Sequence, residues 1–116
     1  MQRDAVHLLD IVTAARLALD FAKGLNRLQF QHDLKTQASV IREIEIIGEA
    51  TKRLSAEFRE AHPQIPWQDI AGMRDVLIHA YDKVDVDELW YVLETSIPEL
   101  ISLIEPMLPR ESEEGD

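Results

Sequence analysis

Apolar residues recur along the chain at three- and four-residue intervals in four stretches, a spacing that predicts helices. In the first, from Asp4 to about Ala22, Leu8, Ile11, Ala15, Ala18, Leu19 and Ala22 share a face. Asp4 is placed to cap its start, and Gly24 to let the chain leave in a left-handed turn. A linker follows to about His32. The second helix is predicted from Asp33 to about Ala61, with a near-heptad seam of Val40, Ile44, Ile47, Thr51, Leu54 and Phe58. Gly48 interrupts that helix at a cost of roughly 1 kcal/mol relative to alanine, which points to another backbone packing closely there. The third helix, Trp67 to Tyr81, lies between Pro63 and Pro66 on one side and Asp82-Lys83-Val84-Asp85 on the other. The fourth begins at Asp85, with Glu88 completing a capping box. It buries Leu89, Val92, Leu93, Leu100, Leu103 and Ile104, kinks at Pro98 and ends by Pro106 and Pro109. The expected fold is all-α: an antiparallel four-helix bundle with a short third helix and a kinked fourth. One domain over residues 1–109 is expected, followed by an acidic disordered tail, 110–116.

Composition narrows the chemistry. The chain has 116 residues, is 46% hydrophobic and holds only four glycines, as suits one compact helical domain. Cysteine is absent, which excludes disulfides, thiolate zinc sites and cysteine nucleophiles. No stretch approaches the roughly 18 apolar residues of a membrane span, and the start MQRDAVHLL lacks a basic segment before a hydrophobic run. A soluble, cytoplasmic protein is the expectation. The formal charge is −10, to which Glu111, Glu113, Glu114 and Asp116 contribute. That balance argues against sequence-independent nucleic-acid binding through a broad basic surface, although a local basic cleft remains open.

The third helix carries the polar residues that need a reason. Wound as an α-helix, it gathers Ile70, Met73, Val76, Leu77 and Ala80 on a core face. Arg74, Asp75 and His79 fall on the opposite face, with Ile78 among them and Tyr81 at the edge. Asp75 and His79, four residues apart, are spaced for a hydrogen bond that would orient the imidazole. Arg74 and His79 can flank one phosphate, the guanidinium stabilising charge on a phosphoryl oxygen and the histidine moving a proton. Such a pair needs no metal to cleave RNA, because the ribose 2′-hydroxyl is its own nucleophile, and DNA lacks it. A reaction needing both a base and an acid is better served by two copies. An apolar Ile78 on this face fits a two-fold interface that joins both sets in one groove. No pair of histidines has the i, i+4 spacing of a helical metal site. By spacing alone, the same residues also suit a salt-bridged surface, and Trp67, Trp90 and Tyr91 read as packing anchors.

Arg74-Asp75-Val76-Leu77-Ile78-His79-Ala80-Tyr81 resembles the R-x-x-x-x-H-x-Y signature of the HepT-like toxins, a branch of the HEPN ribonuclease superfamily. The segments VIREIEIIGEATKRLS, HPQIPWQDIAGMRD and VDVDELWYVLETSIPELI resemble family segments in the same order, so the likeness covers most of the chain. It implies a HEPN-like bundle acting as a homodimeric, metal-independent endoribonuclease. RNA would be cut by 2′-hydroxyl transesterification, leaving a cyclic phosphate and a 5′-hydroxyl. Carried over by position, Arg74 and His79 would be catalytic, with Asp75 supporting. Tyr81 would receive AMP from a minimal nucleotidyltransferase antitoxin, as in a type VII-like toxin–antitoxin system. The chain itself would need no cofactor; Mg²⁺ and ATP would belong to that partner. A bulky adenylate, with its negative phosphate, would repel RNA from the groove. The alternative from a different class is a non-catalytic helical module whose Arg74–Ile78–Tyr81 surface docks the nucleotidyltransferase.

Overall fold

The computed structural model describes residues 2–79 and 83–109; the side chains of Gln2 and His79 are outside it. The expected acidic tail, 110–116, and the segment holding Ala80 and Tyr81 lie outside the described residues. The fold is all-α, as expected, apart from one small β-ladder. Helix α1 (Gln2–Ala22) packs along α3 (Leu34–Arg53), and these two form the largest interface of the bundle. Their chain ends meet: the Asp4 carboxylate accepts hydrogen bonds at 2.8 Å from both the backbone N–H and the hydroxyl of Ser55, so the pair is antiparallel. Val40, Ile44, Ile47, Thr51 and Leu54 are buried against Leu8, Ile11, Val12, Ala15 and Ala18, which is the seam the spacing predicts.

Three expectations about helix ends change. Asp4 sits inside the first turn of α1 rather than at its cap, because its carboxylate is committed to Ser55. The Ser55 amide beside it, with the Ser55 hydroxyl adding, holds the Asp4 carboxyl below the usual aspartate value, against the opposing effect of burial. The same contact ends the second predicted helix early. Leu54 turns extended at ψ 142, Ser55 caps a new helix by accepting from the Phe58 amide, and α4 covers only Ala56–Ala61. The supposed linker contains a one-turn helix, α2 (Arg27–Gln31), started by a reciprocal capping box between Asn26 and Gln29. Its Phe30 is fully buried and lies 5.3 Å, centroid to centroid, from Trp90. Gly24 does adopt a positive φ of 85, as a left-handed turn requires.

The fourth arm is one helical run in three parts: α7 (Val86–Tyr91), a π turn (Val92–Ser96) and α8 (Ile97–Ile104). Asp85 caps it as expected, accepting from the Glu88 amide at 3.0 Å. Pro98 has no amide to donate. The ladder widens just before it, and the Ile97 N–H donates to the Val92 carbonyl five residues back. The expected kink thus takes the form of a π turn. Among the described residues, no helix is long and apolar enough to cross a membrane.

Candidate active site

The third arm departs most from its predicted form. It consists of α5 (Trp67–Ala71) and α6 (Met73–Leu77), separated at Gly72, followed by a two-residue strand β1 (Ile78–His79). β1 pairs antiparallel with β2 (Lys83–Val84), Ile78 opposite Val84 and His79 opposite Lys83. The arm is pinned at its start by Trp67, whose indole N–H reaches the carbonyls of Arg59 and His62 at 3.2 and 3.0 Å. Trp67 is therefore the packing anchor its position suggested. At the far end, the Asp85 amide donates to the Leu77 carbonyl at 2.8 Å. That bond occupies a carbonyl that a continuing helix would use, and β-branched Ile78 adopts extended angles.

This geometry corrects the face expected from periodicity. Helical phase is reset at Gly72 and lost at Ile78, so Asp75 and His79 are not one helical turn apart. Val76, expected in the core, is 57% exposed, while Ile78, expected on the outer face, is partly buried against the core. Leu77 is fully buried. Lys83, the nearest extra cation in the sequence, is the backbone partner of His79.

Arg74 is held by a residue the sequence reading did not single out. Its Nε–H donates to Oε2 of Glu45, on α3, at 3.0 Å, with the two side chains 43% and 33% exposed. Asp75, the expected supporting residue, is a weaker partner: its carboxylate is 3.8 Å from Arg74 Nη1 and its side chain is 77% exposed. At 3.8 Å this is an ion pair without a hydrogen bond, in a setting where exposed pairs contribute little. A sequence signal for Glu45 did exist. It lies three residues before Gly48, on the same face of α3. A Cβ on Gly48 would stand 3.0 Å from the Ala71 carbonyl oxygen, so Gly48 marks the close approach of another backbone that its cost in a helix suggested.

A shallow cavity of about 240 Å³ lies at this junction, lined by Ile44, Glu45, Gly48, Glu49, Lys52, Ala71, Arg74 and Asp75. It has three carboxylates against two cations. Arg74 is therefore not part of a broad basic field. A larger cavity of about 560 Å³ opens on the other side of α6, walled by Ile70, Met73, Val76, Val92, Leu100 and Leu103, and contains neither Arg74 nor Asp75.

The comparisons with known proteins match the sequence of this chain to one family. A family model described as Ribonuclease HepT-like matches residues 11–107. A Thermococcus cleftensis protein named "Probable ribonuclease HepT" is 47% identical over 94 residues, which cover 81% of this chain and 86% of the relative. A protein of Caldanaerobacter subterraneus subsp. tengcongensis is 37% identical over 111 residues, covering 96% of this chain and 99% of the relative. A Methanocaldococcus jannaschii protein is 34% identical over 98 residues, covering 84% and 90%. Both carry the name "Putative RNase". No solved structure gives a significant match.

Proposed function

The chain belongs to the ribonuclease HepT-like family, whose enzyme class is the endoribonuclease expected from its sequence, and from that premise we propose that it is the toxin of a toxin–antitoxin pair. Two copies form a shared groove and cut RNA without a metal. His79 of one copy takes the proton from a ribose 2′-hydroxyl; the oxygen attacks the adjacent phosphorus to close a 2′,3′-cyclic phosphate, the bond to the 5′-oxygen breaks, and that oxygen leaves as a hydroxyl after taking a proton from the protonated histidine of the other copy. Arg74 stabilises the extra negative charge on the phosphoryl oxygens. The observation that carries this reading is the anchored Arg74, with its Nε bonded to Glu45 and its remaining N–H groups not all engaged by that single bond. Ile78, half-buried at the end of α6, supplies apolar contact between the copies.

Control resides in Tyr81 under this reading. A cytoplasmic nucleotidyltransferase antitoxin, holding Mg²⁺ and ATP, transfers AMP to the tyrosine oxygen with release of pyrophosphate. The bulky adenylate then keeps RNA from the groove. Induced expression of the parent should arrest growth, and His79→Ala should restore it. A His79→Ala variant as toxic as the parent, with cleavage unchanged, sinks the catalytic assignment. Incubation with the antitoxin and ATP should add AMP mass to a peptide containing Tyr81; mass on another residue, or none, sinks the control assignment.

A further inference from the structure

We infer that Glu45 is a positioning residue for Arg74, and that the close contact between Gly48 and Ala71 exists to bring the two within reach; this rests on the reading of Arg74 as a catalytic cation. The two observations are independent. One is a hydrogen bond of 3.0 Å between side chains 29 residues apart, from Arg74 Nε to Glu45 Oε2. The other is a backbone approach so close that a Cβ on Gly48 would stand 3.0 Å from the Ala71 carbonyl oxygen. Glu45 precedes Gly48 by three residues on α3, and Arg74 follows Ala71 by three on the facing arm. The tight contact therefore sits three residues from the latch on both elements.

The choice of nitrogen matters. A long arginine has several free torsions, and an unanchored guanidinium over an exposed groove samples many directions. Bonding Nε fixes the plane of the group, and Nη1, which stands 3.8 Å from the Asp75 carboxylate without a hydrogen bond, keeps its N–H groups for a phosphate. Glu45 is suited to this because it belongs to the longest unbroken packed helix of the site, whereas Asp75 is adjacent in sequence, highly exposed and more distant. The expected outcome of losing Glu45 is a slower chemical step with RNA affinity little changed, since only the orientation of the cation in the transition state is lost. Misplacement of about 1 Å in such a group can cost on the order of 100-fold.

The test uses the full chain, an unstructured mixed-sequence oligoribonucleotide under single-turnover conditions, and the parent, Glu45→Ala, Glu45→Gln, Arg74→Ala and the Glu45→Ala/Arg74→Ala double variant. Glu45→Ala should cut the maximal rate by about 10- to 100-fold, with the half-saturating RNA concentration within about twofold. Glu45→Gln, which keeps an acceptor, should recover part of the rate. In the Arg74→Ala background, removing Glu45 should change nothing more. If Arg74→Ala is inactive while Glu45→Ala cleaves like the parent, the positioning role is overturned and the catalytic reading survives. If Arg74→Ala cleaves normally, the catalytic reading itself fails. A measurement independent of cleavage completes the test: the Arg74 Nε–H resonance should be shifted and slow to exchange in the parent, and should move to the free-arginine position in Glu45→Ala. An unmoved resonance overturns the latch.

Discussion

Helix α3 runs 20 residues without a break, whereas the arm that carries Arg74 is divided into two five-residue helices and a two-residue strand. The difference lies in how each is held. α3 buries Val40, Ile44, Ile47, Gly48, Ala50 and Thr51 along its length, so its position is determined by many small contacts. The motif arm is fixed at a few points: Trp67 and Ile70 at the start, Leu77 near the end and the Gly48–Ala71 contact between. Stability is thus spread over one element and concentrated in the other. Arg74, on the second arm, is held by the first through Glu45.

This contrast can be broken most sharply at Leu77. Truncation of this fully buried residue to alanine should cost about 2–5 kcal/mol, whereas Val76→Ser, one residue earlier and largely exposed, should stay within about 0.5 kcal/mol. Chemical denaturation of both variants measures the gap; similar losses would mean that the arm is not anchored where the structure places it. Gly48→Val comes next. The branched side chain meets the Ala71 carbonyl and should push the arms apart, at roughly 1–3 kcal/mol. Under the positioning role of Glu45, it should also lower RNA cleavage in protein that remains folded.

The smallest effect belongs to the scaffold and depends on pH. Asp4 has its carboxyl lowered in the folded chain, chiefly by the Ser55 amide. Its ionised form is therefore the one the fold favours, and its contribution is complete above the unfolded value near 4. That contribution disappears as pH falls through the lower folded value. Asp4→Asn should be less stable than the parent at pH 7, with the gap closing on acidification below about pH 4. Melting curves across pH 2–7 check this, and a gap that widened in acid would contradict the Asp4–Ser55 assignment.

Periodicity was a good guide wherever packing is continuous. The α1–α3 seam, the start of the second helix near Asp33, the cap at Asp85 and the turn at Gly24 were all legible from local residue chemistry. The early end of α3 was not, because Leu54 continues the apolar period and only the distant Asp4 carboxylate draws Ser55 out of the helix. The motif arm shows the same limit more strongly. Its apolar spacing suits a single helix, but Gly72 permits a break, and the pairing of Ile78 with Val84 recruits the end of the arm into a ladder. A weak local preference is readily overridden when another segment offers the backbone better hydrogen bonds.

The sequence alone was enough for the helical class and the family. Those depend on local spacing and side-chain identity. Only the tertiary structure decided that Val76 faces out and Ile78 in, that Asp75 is a distant partner and that Glu45 holds Arg74. A hydrogen bond between residues 29 apart in sequence has no periodic signature. It forms because one glycine lets two backbones meet, and that closeness is a property of the pair of elements rather than of either sequence segment.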